Sequence, residues 1–335
     1  MKPGTQAAQN QNLQAQWIVC VTAVVLFGIK ISAWAFTHSV AILTDALEST
    51  VNVISGFLGL YSLYVSRRPR DADHPYGHGK VEFISAAVEG TLIVVAGGVI
   101  VYEAVLNIWE PHSLQKLDTG IILVAIAGGV NWIVGTYAGR LGKRNKSLAL
   151  QASGRHLLSD TWSTVGILVG LFLILWSGIQ WLDSATAILF AGLIIVQGIG
   201  IVRRSVAGIM DETDEQLLEE VVEWLQTHRE NRWIDLHNLR IIKYGAVLHL
   251  DAHLTVPWYL NVHEAHAEID RLQATVTQAF GESVELFVHT DGCLDFSCRI
   301  CGIADCPERK HPLDSLQKWT IENLRANEKH GKWQK

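Results

Sequence analysis

The sequence has no excess of basic residues. Lys and Arg number 27 against 33 Asp and Glu, which gives a net charge of −6 with His neutral. From Asp211 onward the imbalance is larger, with 22 acidic and 13 basic residues. Proteins that hold nucleic acid through its phosphates need a basic surface. The charge therefore predicts no nucleic-acid partner, and it is compatible with a cationic one.

Two motifs that would define other kinds of protein are also missing. The sequence contains no His-Glu-x-x-His, since "HEAH" at His263 has the wrong spacing and lies in a polar region, so an intramembrane metalloprotease is not predicted. No small-residue cleavage site follows the leader "MKPGTQAAQNQNLQAQ", which carries one Lys and many Gln and Asn. The first apolar run is therefore predicted to be a retained helix rather than a signal peptide.

Long apolar runs are abundant, and hydrophobic residues make up 49% of the chain. A helix of about 20 residues crosses the ~30 Å hydrocarbon core of a bilayer. Six runs reach about that length: Trp17–Phe36, Val40–Val65, Phe83–Trp109, Thr119–Ala138, Leu150–Leu175 and Trp181–Val202. We therefore predict a membrane α-helical protein with six transmembrane helices in contact with lipid.

The distribution of Lys and Arg predicts the orientation, because basic residues favour cytoplasmic loops. Basic residues occupy alternate loops and follow the sixth run: Arg67, Arg68, Arg70, Lys80, Arg140, Lys143, Arg144, Lys146, Arg203 and Arg204. In the opposite loops, Lys116 is the only Lys or Arg. Both termini are predicted to be cytoplasmic, with the protein in the cell (inner or plasma) membrane.

After Arg204 the sequence predicts a cytoplasmic α+β domain. The stretches "DEQLLEEVVEWLQTH" and "HEAHAEIDRLQATVTQAF" have helical periodicity, whereas "LHNLRIIKYGAVLHLDAHLTV" predicts two strands around Gly245 and "SVELFVHT" a third strand. The order α-β-β-α-β predicts a compact, ferredoxin-like α+β sandwich of helices on a small sheet. The predicted divisions are a polar tail (1–16), a transmembrane domain (17–207), the α+β domain (208–291) and a Cys-rich tail (292–335).

Two pairs of polar residues interrupt the second and fifth runs at a spacing of one helical turn. "DALESTVN" contains Glu48 and Asn52, and "RHLLSD" contains His156 and Asp160. A charge at the centre of a spanning helix costs on the order of 2.5–3.5 kcal/mol, so such residues usually have a function. Together these side chains suit zinc, and manganese or iron would also accept them. A structural hydrogen-bonded cluster and a metal-free proton relay are the alternatives.

Other polar residues are less specific. In "DADHPYGHGK", Asp71, His74 and His78 could be folded onto one ion by the Pro-Tyr-Gly turn, although a plain polar loop also explains them. Lys30 and Glu89 also lie within predicted spans. A functional role would explain them, but so would a snorkelling Lys and a helix-packing Glu, and neither residue is assigned a role.

Cysteine is scarce, and four of the five cysteines are clustered. Cys293, Cys298, Cys301 and Cys306 have the spacing C-x4-C-x2-C-x4-C. A cytosolic location disfavours disulfides, so clustered thiols favour metal binding. Four thiolates suit a structural zinc, and the first three share the spacing of plant-type iron–sulfur sites. Reduced thiols in a flexible tail are the alternative.

The motifs "LTDALESTVN", "DADHPYGHGKVE", "RHLLSD" and "EAHAEID…LFVHTD" resemble the cation diffusion facilitator family of divalent-metal/proton antiporters, over about residues 13–291. The resemblance implies six transmembrane helices, a cytoplasmic α+β domain, a homodimer and alternating access. It also implies a transport site at the positions of Glu48, Asn52, His156 and Asp160. Zinc members of the family usually carry His or Asp, and then Asp, where this chain has Glu48 and Asn52.

The same resemblance implies two further metal sites. Asp71, His74 and His78 match a loop site of some members, and a second set matches a metal-sensing site at the dimer interface: His237, His253, His266, His289 and Asp291. Without the resemblance, solvated histidines would explain the second set equally well. His253 also shares a predicted strand face with His249 and Asp251.

The function predicted from the sequence is export of a divalent transition metal, with Zn(II) the first choice, from the cytoplasm in exchange for protons. Transport of Mn(II), Fe(II) or Co(II) is an alternative, and so is a non-transporting metal sensor or scaffold. No enzymatic activity is predicted.

Overall fold

The computed structural model describes residues 3–66, 68–110, 116–144, 148–244, 247–281 and 284–331. Within them, the first two thirds of the chain form six long helices: α1 (Pro3–Thr37), α2 (Val40–Ser66), α3 (Val81–Trp109), α4 (Leu117–Arg144), α5 (Leu148–Ser177) and α6 (Trp181–Ile209). Each helix contains an apolar segment long enough to cross a membrane. The six predicted helices are therefore confirmed.

The first helix begins earlier than its apolar run. Residues predicted as a polar tail, up to position 16, are helical from Pro3 onward. Proline is tolerated at the first position of a helix, and the Ala, Gln and Leu residues that follow are good helix formers. The change from polar to apolar residues shows where the membrane-spanning segment begins, at Gln14. The helix itself begins earlier, at Pro3.

The chain divides into two compact units, residues 1–63 with 83–206 and residues 64–82 with 207–335. In the first, the membrane unit, large apolar side chains such as Trp162, Phe172 and Val196 are exposed. Because soluble monomers rarely expose so much apolar surface, these side chains indicate contact with lipid. The membrane unit is that of an integral membrane protein.

Small residues allow the helices of the membrane unit to approach closely. A Cβ at Gly154 of α5 would lie 2.5 Å from the backbone nitrogen of Gly139 in α4, and one at Gly90 of α3 would lie 2.9 Å from the backbone oxygen of Gly198 in α6. Such contacts are typical of helix packing in membranes. At one end, the buried Asp183 carboxylate accepts hydrogen bonds from the backbone nitrogen of Val40 (2.6 Å) and from the Ser39 hydroxyl (2.5 Å).

The second unit, the C-terminal unit, contains the predicted α-β-β-α-β order. Its elements are α7 (Glu215–Thr227), β1 (Asp235–Tyr244), β2 (Val247–Val256), α8 (Val262–Phe280) and β3 (Val284–Gly292). The strand order is β1-β2-β3, with β1 antiparallel and β3 parallel to β2. The turn predicted at Gly245 lies outside the described residues.

One face of this sheet packs against the helices, and the other carries polar residues. Leu250 and Leu254 of β2 lie in one core with Leu218 of α7 and Leu272 of α8. Because successive side chains on a strand alternate, His249, Asp251 and His253 lie on the opposite face. The strand face predicted for these three residues is confirmed by this packing.

The segment after β3 is part of the same unit. It contains a 3-10 helix (Asp295–Ile300) and α9 (Ile321–Arg325), and the side chains of Trp319 and Leu324 are buried in the core of the sheet and helices. The boundary predicted between residues 291 and 292 is therefore not a structural boundary. Burial of an indole and a leucine in a shared core holds the described part of the segment against the sheet domain.

Candidate metal sites

The polar pairs predicted on two spans come together in the membrane unit. The amide Nδ2 of Asn52 on α2 donates a hydrogen bond of 2.8 Å to Oδ2 of Asp160 on α5. The Nε2 atom of His156 lies 3.9 Å from the same oxygen. Asp160 is buried, whereas the His156 side chain is 39% exposed. A carboxylate, an imidazole and an amide from two helices thus face one another.

Glu48 lies one turn before Asn52 on α2, and the Asp160 and Asp45 carboxylates act on it electrostatically. It does not complete a compact cluster. Among the described residues, only two groups of three or more His, Cys, Asp or Glu side chains bring their ligand atoms within 4.8 Å of one another, and neither group is in the membrane unit. The structure therefore brings three of the four predicted residues into contact and leaves Glu48 beside them.

A buried ion pair adjoins this site. Lys30 Nζ on α1 donates a hydrogen bond of 2.7 Å to Oδ1 of Asp45 on α2, and both side chains are 1% exposed. Thr164 on α5 donates to the same oxygen at 3.3 Å. Snorkelling of Lys30, one of the explanations considered from the sequence, is therefore wrong. The sequence does show a charged Lys and a charged Asp in two separate apolar runs. Because they lie on different helices, spacing along one helix could not predict that they pair.

The loop site predicted before α3 is formed within the C-terminal unit. Oδ1 of Asp71 accepts a hydrogen bond from the backbone nitrogen of His74 (2.7 Å) and lies 3.1 Å from its Nδ1, and Oδ2 lies 3.4 Å from Nε2 of His78. The backbone hydrogen bond from His74 lowers the pKa of Asp71. Gly77, with φ of 90°, supplies the left-handed residue of the turn. These three residues form one of the two compact groups.

Sheet contacts hold this loop in place. Arg70 forms an ion pair with Glu285 of β3. The ring centroid of Tyr76 lies 5.7 Å from that of Tyr244 on β1 and 5.9 Å from that of His249 on β2. Lys80 pairs with Asp211 at 2.9 Å. The loop site is thus fixed by long-range contacts that its local sequence does not indicate.

The second compact group lies on the polar face of the sheet. Strand register places His237 of β1 opposite His253 of β2, and His253 beside His289 of β3. Oδ2 of Asp291 lies 3.6 Å from Nε2 of His237 and 3.5 Å from Nδ1 of His253. Partial burial and the neighbouring His237 ring lower the pKa of His253. A neutral imidazole is the form that binds metal.

Two of the predicted members differ in position. Nε2 of His289 lies 3.8 Å from Oδ1 of Asp291, at the edge of the group. His266 is not part of the group, because it is on α8, which packs against the opposite face of the sheet through Leu272. It is exposed and lies 3.8 Å from Asp270 instead. Within a single chain the structure does not bring His266 to this group, and its place in a site at the dimer interface stays a prediction.

Asp235 is a further residue at this site that was not predicted. Its Oδ2 lies 3.5 Å from Nδ1 of His237, and its Oδ1 contacts Nδ1 of His330 at 2.7 Å. Although burial alone would raise the pKa of Asp235, its hydrogen bonds with His237 and His330 lower it to about 2. An ionised carboxylate behind a metal-binding imidazole fixes the orientation of the ring. The Asp-x-His spacing on one strand is the sequence pattern that could have indicated it.

The four clustered cysteines also come together. Cys293, Cys298, Cys301 and Cys306 are free thiols that line one pocket of the C-terminal unit. Burial raises the pKa of Cys293 and of Cys301. Cys20, by contrast, lies on α1 in the membrane unit.

Six helices long enough to span a membrane, buried polar side chains of a type that can bind metal between two of them, and a separate α+β domain are the features of one class, the membrane transporters of cations. Comparison with known families agrees: the chain matches the cation efflux transmembrane domain over residues 17–210 and the cytoplasmic domain of cation efflux proteins over residues 213–293. The chain belongs to the cation diffusion facilitator family, and its members are cation efflux transporters rather than enzymes.

Individual relatives agree with this assignment. An uncharacterized transporter of Synechocystis is 31% identical over 256 residues, which cover 76% of this chain and 83% of the relative. The cation-efflux pump FieF of Shewanella oneidensis is 26% identical, covering 81% and 90% of the two chains. The manganese efflux system protein MneS of Bacillus subtilis is 28% identical, covering 72% and 82%.

Proposed function

We propose that the protein exports a divalent transition metal from the cytoplasm in exchange for protons, with Glu48, Asn52, His156 and Asp160 as the transport site. The observation that carries the proposal is the meeting of Asn52, Asp160 and His156 between α2 and α5. A buried carboxylate in a spanning helix is costly, and a cation is the partner that would offset this cost.

The side-chain amide of Asn52 can hydrogen-bond to Asp160 when no ion is bound and can bind the ion when one is present. Its Nδ2 donates to Asp160, whereas its Oδ1 is the atom that binds a cation. Rotation of the amide exchanges the two roles. Asn52 would then satisfy Asp160 between transport events and turn its oxygen to the metal when one arrives.

Proton exchange follows from the chemistry of the ligands. His156 and the carboxylates of Glu48 and Asp160 must be deprotonated to bind metal. Protons on the acidic side of the membrane therefore compete with the ion and release it, and neutral pH on the cytoplasmic side restores the site. Alternating access of a homodimer, with both termini cytoplasmic in the cell membrane, completes the proposed cycle.

Zn(II) is the first choice of metal because imidazole and carboxylate ligands suit it. Mn(II) is the second candidate. Three of the four proposed ligand groups are oxygen donors, which manganese accepts well, and two relatives are named as manganese efflux proteins of Bacillus subtilis. Fe(II) and Co(II) are further alternatives within the same proposal.

The C-terminal unit is proposed to sense metal. A cation shared by His237, His253 and Asp291 would favour whichever arrangement of the homodimer binds it more tightly. The loop site of Asp71, His74 and His78 is a proposed additional binding site.

A non-transporting sensor or scaffold is the rival function. It is favoured by the hydrogen bond from Asn52 to Asp160, which ties α2 to α5 without an ion. In this account the buried residues only stabilise the bundle.

Metal uptake into proteoliposomes separates the two functions. Zn, Mn, Fe and Co are offered in turn, under one fixed pH gradient, to wild type, Asp160→Ala and the matched control Glu89→Gln. We expect uptake by wild type and the control and none by Asp160→Ala, because the variant lacks the carboxylate that α5 contributes. Absence of uptake of all four metals by correctly inserted wild type would favour the sensor or scaffold.

A further inference from the structure

The four clustered cysteines converge from separate parts of the C-terminal segment. Cys293 follows β3, Cys298 lies in the 3-10 helix, Cys301 follows that helix and Cys306 lies in the next loop. All four line one pocket, and Cys298 and Cys301 are buried. The pocket belongs to a different part of the unit from the compact group at His237, His253 and Asp291, none of which lines it.

Backbone N–H groups point at the sulfur atoms. The backbone nitrogen of Trp258 donates to Sγ of Cys293 at 3.4 Å, and that of Lys310 donates to Sγ of Cys298 at 3.4 Å. The backbone nitrogen of Ile303 hydrogen-bonds to Cys301. A neutral thiol is a weak acceptor, whereas thiolates bound to metal are stabilised by such hydrogen bonds.

Arg309 holds the backbone around the pocket. Its guanidinium donates to the carbonyl oxygens of Cys298 (2.9 Å), Cys301 (3.0 Å) and Ile303 (2.5 Å). These hydrogen bonds hold the backbone at two of the cysteines and place a positive charge near the Cys301 thiol. A neighbouring cation favours the thiolate form that binds metal.

We propose that Cys293, Cys298, Cys301 and Cys306 bind a resident metal centre as four thiolates, distinct from the transported ion. Four thiolates are the ligand set of a structural zinc ion and also of an iron–sulfur cluster. No three of the four sulfur atoms form one of the compact groups found among the described residues. Binding of a single zinc ion, with Zn–S distances of about 2.3 Å, therefore draws the loops closer together.

The centre would hold the C-terminal segment against the sheet. Beyond the cysteines, this segment buries Trp319 and then brings Lys329 to within 3.0 Å of Asp291 and His330 to within 2.7 Å of Asp235. The metal centre thus anchors the start of a segment whose end contacts the proposed sensing site.

Metal analysis of the full chain, purified in detergent under anaerobic conditions, tests the proposal. Zinc, iron and acid-labile sulfide are measured with the visible absorption spectrum, on a chain carrying Asp160→Ala, His253→Ala and His74→Ala so that the proposed transport, sensing and loop sites do not contribute. We expect about one zinc ion per chain, or iron and sulfide with visible absorption. Adding Cys298→Ser and Cys301→Ser should abolish this metal, whereas adding Cys20→Ser should not change it.

Thiol labelling keeps the test decisive if the serine variants do not fold. Removal of zinc by a strong chelator, or oxidative destruction of an iron–sulfur cluster followed by reduction of the cysteines, should make the four thiols of the otherwise unmodified chain react with an alkylating reagent, as mapped by mass spectrometry. Chains purified without stoichiometric metal, or with thiols equally reactive before and after removal, would overturn the proposal. Because the metal centre is measured without transport, failure here is distinguishable from failure of the proposed transport function.

Discussion

Asn52 is a neutral amide at a position of the proposed transport site where the family resemblance implies an Asp in zinc transporters. Its amide donates to Asp160 at 2.8 Å, so the carboxylate has a neutral partner. A neutral amide cannot take up a proton, which limits the number of protons that the proposed site could exchange. The choice of an amide therefore bears on both metal selection and pH dependence.

Asn52→Asp should make transport more sensitive to acid. Two carboxylates at this separation cannot both ionise readily without a cation, so one of them holds a proton at higher pH. We expect the pH at which metal uptake is half-maximal to rise by roughly one unit. The measurement is uptake into proteoliposomes between pH 5.5 and 8, with Asn52→Gln as the neutral control. An unchanged profile would show that Asp160 and residue 52 are not coupled.

Lys30→Met should destabilise the membrane unit. It leaves Asp45 buried without its 2.7 Å partner, and breaking one side of a buried ion pair costs about 3 to 5 kcal/mol. The double variant Lys30→Met with Asp45→Leu removes both charges and should recover most of the loss. Thermal unfolding in detergent measures this, with the exposed Lys116→Met as control. Equal losses in the single and double variants would contradict the pairing.

At the scale of elements, the sheet and the segment that follows it are joined by charged groups. Asp235 begins β1, and His330 reaches it from beyond α9. The hydrogen bond from His330 to Asp235 raises the pKa of His330 despite its partial burial. A raised pKa means that the contact stabilises the fold fully below the ordinary His value of about 6.5, and that this stabilisation is lost as pH rises through the folded-state value.

The C-terminal segment should therefore loosen as the pH rises above neutrality. We expect limited proteolysis after residue 310 to accelerate several-fold between about pH 6.5 and 8.5 in wild type. His330→Gln should be cleaved faster at the lower pH and show little further change, whereas the exposed His263→Gln should behave as wild type. Asp235, with a pKa of about 2, stays ionised throughout this range. A pH-independent wild type would contradict this account.

The helices and strands could be predicted from the sequence, whereas the contacts between them could be predicted only in part. Apolar runs predict α1 to α6, and alternation predicts the strand face that carries His249 and His253. The separation of His266 from that face depends on which side of the sheet α8 covers, and local sequence does not decide this. The pairing of Lys30 with Asp45 and the burial of Trp319 likewise depend on segments that are far apart in the chain.

At the scale of the whole molecule, charge is divided unequally along the chain. The residues from Asp211 onward contain 22 acidic and 13 basic side chains, a net charge of −9, whereas the net charge of the whole chain is −6. An acidic domain raises the local concentration of cations, and this effect weakens as salt is added. The C-terminal domain is therefore suited to collect the divalent ions that the proposed sensing and cysteine sites bind.

The most direct test of the central claim couples the two ions in one experiment. Wild-type proteoliposomes receive pH gradients of either direction, and metal flux and internal pH are recorded together. We expect metal to move in the direction opposite to the protons, and its direction to reverse when the pH gradient is reversed. Proton movement should accompany the metal flux, and Asp160→Ala should abolish both. Metal flux that ignores the direction of the gradient, or that occurs without proton movement, would contradict metal/proton exchange.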